Sequence, residues 1–465
     1  MTAGGTTAAD YEVARQPHLQ AMLAGVAGHF ERVTWPRERL WALRDERLLG
    51  LVRTAKERSP WHARRLRDVD ADTITGDDLS AIPPMTKADL MANWDEIVTD
   101  RRITLDLARR HLATVAEEGL SYLLDDYNVV TTGGSTGVFL WDRQGWLDAA
   151  YTSWRHVGWL VAYLGLLEGP SRSVTIAAEH AIHMTEAMRI TFDPPGDSLV
   201  LPVTLPLSAI VSGLNDFQPK GLLAYPSVLH RLAIEQEAGR LRIAPKLAFC
   251  GAEPLHQHMR EAIERAFGAT VINTYACSEG WMIGCSFPGS PSLHMVEDTA
   301  VYEPVDALGR PVPPGVRSAK LLVTNVINHA LPLIRYELTD EVTFIDEPAP
   351  PGPWTGRRIE AIEGRLDDLF VYPGDVVAHP YAFWSALGRD PRIAEYQVRQ
   401  TARGADVVVE ALEPLPLEPI VAKLVDSLRR LGVREPVVDV RIVDAVERQP
   451  GSGKVKRFIP AVAAR

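Results

Sequence analysis

Cysteine is scarce: only Cys250, Cys277 and Cys285 occur in 465 residues. So few thiols cannot frame a disulfide-stapled fold, and they point to a reducing cytoplasm. Long apolar runs are missing as well, since the longest, Val157 to Leu167, is too short to span a bilayer. The opening MTAGGTTAADYE has neither the basic nor the apolar stretch of an export signal, so neither export nor a membrane anchor is expected. No dense Lys/Arg tract appears either. With a net charge of -11 and a pI near 5.7, nucleic acid and anionic membrane are disfavoured partners.

What the chain does have is apolar bulk, at 46% of residues, and length enough for two or three domains. The expected partners are therefore small molecules or proteins. The first dozen residues are small and polar and are expected to be loose. From Arg39 to Arg58, Leu48, Leu51, Val52 and Ala55 recur at helical spacing, and Ser59-Pro60 stops the helix.

The most informative stretch runs from Leu247 to Gly280. Leu247 to Cys250 is a short apolar strand, Gly251 allows a sharp turn, and Leu255 to Phe267 has helical spacing stopped by Gly268. Thr270 to Asn273 then reads as the next strand. Such a crossover builds a parallel sheet, whose ligands lie at the carboxyl ends of the strands. Gly251, Ala252 and Glu253, then Tyr275, Ala276, Cys277, Ser278 and Glu279, fall at those ends. A carboxylate there can hold a metal, and a tyrosine can face a base.

Other segments extend the alternation. SVTIAA, SLVLPV and GLLAY read as strands, and SVLHRLAIEQEAGR reads as a helix. Val129 to Gly137, VVTTGGSTG, is β-like and then turns into Gly, Ser and Thr, a loop whose N-H groups and hydroxyls can wrap an anion. It is not the common NTPase loop, because no lysine follows Gly137. Pro348 to Gly356 is rich in proline and glycine and marks a boundary. Beyond it, Val407 to Val409 and the alternating Val438, Val440 and Ile442 suggest strands, while Ile420, Leu424, Leu428 and Leu431 share one helical face ended by Gly432. Pro450-Gly451-Ser452-Gly453-Lys454 places a lysine directly after two glycines, in a loop free to enter a closed site.

In chain order, TTGGSTG, GAEP with YACSEG, RYELTD, GRLDD and GSGK resemble the motifs of the adenylate-forming ligase superfamily. SPWHARRL and DDLSAIPPMTKADL resemble the N-terminal signature of its phenylacetate-CoA ligase-like branch. The resemblance implies a large α/β N-terminal domain of layered sheets and helices, residues 1–364, and a small mobile α+β C-terminal lid, residues 365–465. It implies that Thr132, Gly133, Gly134, Ser135, Thr136 and Gly137 wrap the phosphates of ATP. Gly251, Ala252, Glu253, Tyr275 and Ser278 would border the nucleotide, Asp340 would accept from its ribose hydroxyls, and Arg365 would contact it. Glu279 would bind Mg2+, Asp367 would be the hinge, and Lys454 would reach the reacting carboxylate and the α-phosphate. His180, His183, Tyr225, Trp281 and Met282 would line the acid pocket.

The implied reaction joins a carboxylic acid, aryl or arylacetic by the apolar tally, to AMP with release of pyrophosphate, and then passes the acyl group to coenzyme A. An amine or a carrier-protein thiol as acceptor, and a degenerate nucleotide-binding protein without turnover, stay open, and the resemblance admits a homodimer. The chain departs from the pattern in three places. Val138-Phe139-Leu140 replaces a proline and lysine after the phosphate loop, Leu338-Thr339 replaces Thr-Gly before Asp340, and GPWTG stands where many relatives carry CxCG. Cys285 and His294, with Cys250, His256 and His258, offer zinc donors, but no CxxC or HxxxH spacing supports such a site.

Overall fold

The computed structural model describes residues 8–131, 137–165, 172–177, 180–192, 197–252, 255, 257–345, 353–360, 369–378, 381–387, 390, 392–411, 413–444, 446–447 and 457–461. A hairpin of β1 (Tyr127–Thr131) and β2 (Val138–Asp142) comes first. Next in the chain are β3 (Arg172–Ala177), β4 (Asp197–Pro202), β5 (Gly221–Ala224), β6 (Leu247–Cys250), β7 (Thr270–Cys277), β8 (Trp281–Ser286) and β9 (Leu293–Met295). With β13 (Arg358–Ile359) they form one mixed sheet in the order β13-β9-β8-β7-β6-β5-β3-β4. The intervening β10 (Ala300–Val305), β11 (Lys320–Asn325) and β12 (Tyr336–Leu338) make a second, antiparallel sheet.

β3, β4, β5, β6 and β7 run parallel, as right-handed crossovers through helices require. The helices lie at Met184–Thr191, Leu207–Phe217, Pro226–Glu237 and Gln257–Phe267. Gly268, with φ of +61°, ends the last of them where the spacing placed its stop. The helix Arg37–Arg58 has Leu48, Leu51, Val52 and Ala55 fully buried. At its end Ser59 accepts a hydrogen bond from His62 N at 3.3 Å and so caps the next helix, Pro60–Arg65.

The opening is ordered earlier than its composition suggests. A helix covers Ala8–Glu31, starting inside the stretch expected to be loose. Tertiary contacts override weak local propensity here: Tyr11 is buried and its hydroxyl meets Thr191 Oγ1 at 3.1 Å, and His18 Nδ1 meets the Tyr122 hydroxyl at 2.6 Å.

The C-terminal module matches the α+β expectation. β14 (Phe370–Tyr372) pairs with β15 (Val376–Ala378), and β16 (Ile393–Thr401), β17 (Gly404–Ala411), β18 (Val437–Val443) and β19 (Phe458–Ile459) form a sheet in the order β18-β17-β16-β19. The helix Glu418–Arg430 buries Ile420, Leu424 and Leu428, and Gly432 follows at φ of +101°. The expected domain boundary at 364/365 lies outside the described residues. Among the described residues no helix is long and apolar enough to cross a membrane.

One buried ionic knot joins four parts of the large layers. Asp298, 1% exposed, accepts from Arg155 Nη1 at 2.7 Å and also pairs with Arg155 Nη2. Arg47 Nη1 donates to the Asp298 backbone carbonyl at 2.9 Å, and Arg32 lies 3.5 Å from its carboxylate. Arg155 is on the helix Arg143–Tyr163 and Arg47 on the helix Arg37–Arg58, so two helices are pinned to the loop before β10. Burial opposes the charge on Asp298, but the three guanidinium groups hold its carboxyl far below the usual carboxylate range. We expect Asp298→Asn to lower unfolding free energy by about 3–5 kcal/mol in urea titrations, because it leaves buried guanidinium charge uncompensated.

Candidate functional site

The carboxyl ends of the parallel strands share one edge of the large sheet. His180 follows β3 by three residues, Tyr225 directly follows β5, Gly251 and Ala252 follow β6, and Ser278 and Glu279 follow β7. Local sequence explains each placement. Gly251 is required by a close approach, since a Cβ there would meet Thr274 Oγ1 at 2.7 Å, and that hydroxyl already donates to the Cys250 carbonyl at 2.9 Å. Ala252 holds a left-handed backbone, φ +65°, which re-aims the chain at the strand end.

β7 runs four residues beyond the expected Thr270 to Asn273, so Tyr275 stands on a strand rather than in a loop. Pairing with β8 extends it, and a register shift between Tyr275 and Ala276 marks a bulge. Tyr275 is buried, and its hydroxyl donates to Asp340 Oδ2 at 2.7 Å. Two residues 65 apart in sequence thus meet through their functional atoms.

Glu279 is half-buried in the turn Ser278–Gly280, and Asn325 at the end of β11 donates to its backbone carbonyl at 2.9 Å. This bond joins the second sheet to the site. Burial pushes the Cys277 thiol well up, and the charges of Glu279 and Asp340 push it in the same direction.

Of the expected phosphate loop, Thr132, Gly133, Gly134, Ser135 and Thr136 lie outside the described residues. Both of the loop's flanks are described. Thr131 Oγ1 donates to the Gly137 carbonyl at 2.9 Å, Thr131 pairs with Val138, and Thr131 N donates to the Ile182 carbonyl at 2.8 Å. The Thr131 flank of the hairpin therefore lies beside the segment that follows β3. Val138, Phe139 and Leu140, the residues in place of proline and lysine, are buried in β2 and present no cation.

His183 pairs as a bridge with Thr131 and is buried, which pushes its imidazole down to about 4. His180 is half-exposed three residues away, and Tyr225 is half-buried against the main core. Trp281 and Met282 open β8, opposite Cys277 and Ala276. Trp281 has φ of +62°, a conformation that costs a bulky residue about 1–3 kcal/mol and clusters at functional sites. Glu253, Arg365, Asp367 and Lys454 lie outside the described residues. Phe458, four residues after Lys454, is buried in β19.

Cys285 and His294 face each other across β8 and β9, yet His294 Nδ1 is taken up by the Trp354 carbonyl at 2.8 Å. No group of three metal-type side chains occurs among the described residues. Sequence reading missed the N-terminal buttress of the site. Met85 N donates to the Arg335 carbonyl at 2.8 Å and Glu337 N donates to the Met85 carbonyl at 2.9 Å, so the segment PPMTK runs alongside β12, just before Asp340. Arg335 completes this join through Glu303 Oε2 at 3.0 Å and the carbonyl of Ser80 at 3.2 Å.

These features have relatives. A phenylacetate-coenzyme A ligase of Thermus thermophilus is 27% identical over 420 residues, covering 83% of this chain and 84% of that protein. Protein CapK of Staphylococcus aureus is 25% identical over 348 residues, covering 71% and 69%. Among solved structures, 2-hydroxyisobutyryl-CoA ligase in complex with 2-HIB-AMP and CoA aligns over 92% of this chain and 91% of its own, with a TM-score of 0.59 and 18% identity. The same ligase in its postadenylation state aligns with a TM-score of 0.56 and 19% identity over 92% of this chain and 91% of its own. No family model matches the chain. The fold is that of the adenylate-forming CoA ligases. Within that class the sequence likeness runs to the phenylacetate-CoA ligase-like branch.

The histidines carry a pH consequence. Burial lowers the pKa of His18, His29, His62, His111, His156, His183, His294 and His329. For His183 the ordinary value of 6.5 falls to about 4 on folding. The unfolded chain then binds protons first as pH falls, so this stability is complete above about 6.5 and is lost on the way to about 4. Urea midpoints measured from pH 7.5 downward should fall steeply below pH ~6.5, with more than one proton taken up on unfolding; a flat profile to pH ~5 contradicts this.

Proposed function

We propose that the protein activates a carboxylic acid with ATP, forming an acyl-adenylate and pyrophosphate, and then transfers the acyl group to coenzyme A. The convergence of Tyr275, Asp340 and Glu279 at one strand edge carries this reading. Asp340 Oδ2 is held by Tyr275, which orients the carboxylate toward a vicinal diol such as the ribose of ATP. The likeness to acid-CoA ligases over most of both chains supports the same assignment.

Glu279 fits a hard divalent cation, since its carboxylate is an oxygen donor at the half-buried turn that follows β7. Magnesium, when bound, supplies charge compensation for the triphosphate. Thr132 to Gly137 would orient the phosphates, Gly251, Ala252, Glu253 and Ser278 would border the nucleotide, and Arg365 would contact it. Lys454 would offset charge as the carboxylate oxygen attacks the α-phosphorus and pyrophosphate leaves. In the second step the thiol sulfur of coenzyme A attacks the acyl carbon, and AMP leaves. A lid of residues 365–465, turning about Asp367 against residues 1–364, would withdraw Lys454 between the two steps.

A second reading, nucleotide binding without turnover, draws on β2, where buried Val138, Phe139 and Leu140 leave no lysine for the β- and γ-phosphates. Pyrophosphate release with ATP and magnesium over a panel of aryl, arylacetic and aliphatic acids separates the readings. Release on one acid, with an acyl-CoA mass only when coenzyme A is added, is the expected result. Release with an adenylate mass alone favours an amine or carrier-protein acceptor, and ATP binding without release favours the second reading.

Two variants probe the machinery. Lys454→Ala should slow adenylation by about 10²- to 10³-fold with AMP affinity little changed; parallel loss of AMP binding speaks against its role. Tyr275→Phe should raise KM for ATP while leaving KM for 2′,3′-dideoxy-ATP nearly unchanged, since only the diol reads the orientation of Asp340.

A further inference from the structure

The C-terminal sheet ends in a strand with one open side. β18 pairs with β17 in parallel over its whole length, Val437 to Val443, without a shift of register, and among the described residues no strand lies on its other side. Natural sheets guard such an edge with lysine, proline or a bulge, and β18, VVDVRIV, has none of these. Val437 and Ile442 are 55% and 49% exposed. Val437 N donates to the Arg403 carbonyl at 3.1 Å, on the β17 side. Peptide groups alternate in direction along a strand, so those of Val438, Val440 and Ile442 point away from β17.

The order of side chains determines what fits this edge. Val440 is the centre of a self-complementary pattern, with Asp439 and Arg441 beside it, Val438 and Ile442 next, and Val437 and Val443 at the ends. When a second copy of β18 lies antiparallel with the two Val440 residues opposite each other, each Asp439 faces Arg441 of the other copy. Centred on Val438 or on Ile442 instead, the strand sets Asp439 or Arg441 against a valine. The Val440 register also joins residues whose peptide groups point outward. It leaves Asp439 and Arg441 as the non-hydrogen-bonded pairs, in which side chains approach most closely. Both are exposed. Within the chain Asp439 stands opposite Asp406 on β17, and Asp406 stands opposite Arg399 on β16. This row meets the open edge with two acidic residues in succession, an unfavourable pairing that an arginine from a second copy relieves.

We propose that β18 is a self-recognition strand: two copies of the chain pair antiparallel about Val440 and join their four-stranded sheets into one. The pairing is independent of the reaction proposed above. A single strand pair stands at the small end of specific interfaces, so the dimer is weak and depends on concentration.

Sedimentation velocity of the full chain at low ionic strength, from about 0.1 to about 100 μM, tests this. Wild type should pass from monomer to dimer within that range. Asp439→Arg sets arginine against arginine, and Arg441→Asp sets aspartate against aspartate. Each variant alone should dimerise about tenfold or more weakly than wild type. An equimolar mixture of the two restores both opposite-charge pairs and should dimerise as wild type does. Circular dichroism checks that the variants, both at exposed positions, are folded. Wild type that stays monomeric throughout overturns the proposal. Single variants that dimerise as well as wild type place the contact elsewhere and overturn it too, and a mixture that associates no better than its components overturns the antiparallel register about Val440.

Discussion

The pairing of Asp298 with Arg155 is the constraint on which the site's geometry rests. It fixes the helix Arg143–Tyr163 against the loop before β10, and Arg47 and Arg32 draw the N-terminal helical layer to the same carboxylate. Gly145 at the start of that helix has no room for a side chain, because a Cβ would stand 2.6 Å from the Ile327 carbonyl oxygen. Helix, β2 and the 325–330 segment are therefore one packed unit: Asn328 Nδ2 donates to the Leu140 carbonyl at 2.9 Å, and Asp142 Oδ2 accepts from His329 N at 2.9 Å. Everything that reaches the strand edge from the phosphate-loop hairpin, from β7 and from Asp340 hangs on this frame.

Electrostatics divides the large layers in two. The knot around Asp298 carries surplus positive charge and is buried, so its arginines serve the fold. The turn at Glu279 is half-buried, and there the charges of Glu279 and Asp340 act on the Cys277 thiol.

Much of this was legible in the sequence where local rules decide. Strand β6, the stop at Gly268 and the helix ended by Gly432 follow from apolar spacing and from glycine's backbone freedom. Motif order pointed to the strand edge that carries Tyr275 and Glu279. Long-range contacts were not legible. The bond between Tyr275 and Asp340, that between Trp281 and Ser153, and the helix beginning at Ala8 depend on partners far along the chain. No spacing rule reports such partners. SPWHARRL and PPMTKADL were recognisable as a signature, but their physical task, bracing Arg335 and β12, appears only in three dimensions.

That brace has a further effect. β12 is an outer strand of its three-stranded sheet, and an outer strand exposes backbone groups that recruit foreign strands. Met85, bonded on one side to Arg335 and on the other to Glu337, fills those groups from within the same chain. The N-terminal segment thus acts as a guard against intermolecular sheet growth. Its loss would turn a site-bearing strand into a seed for aggregation.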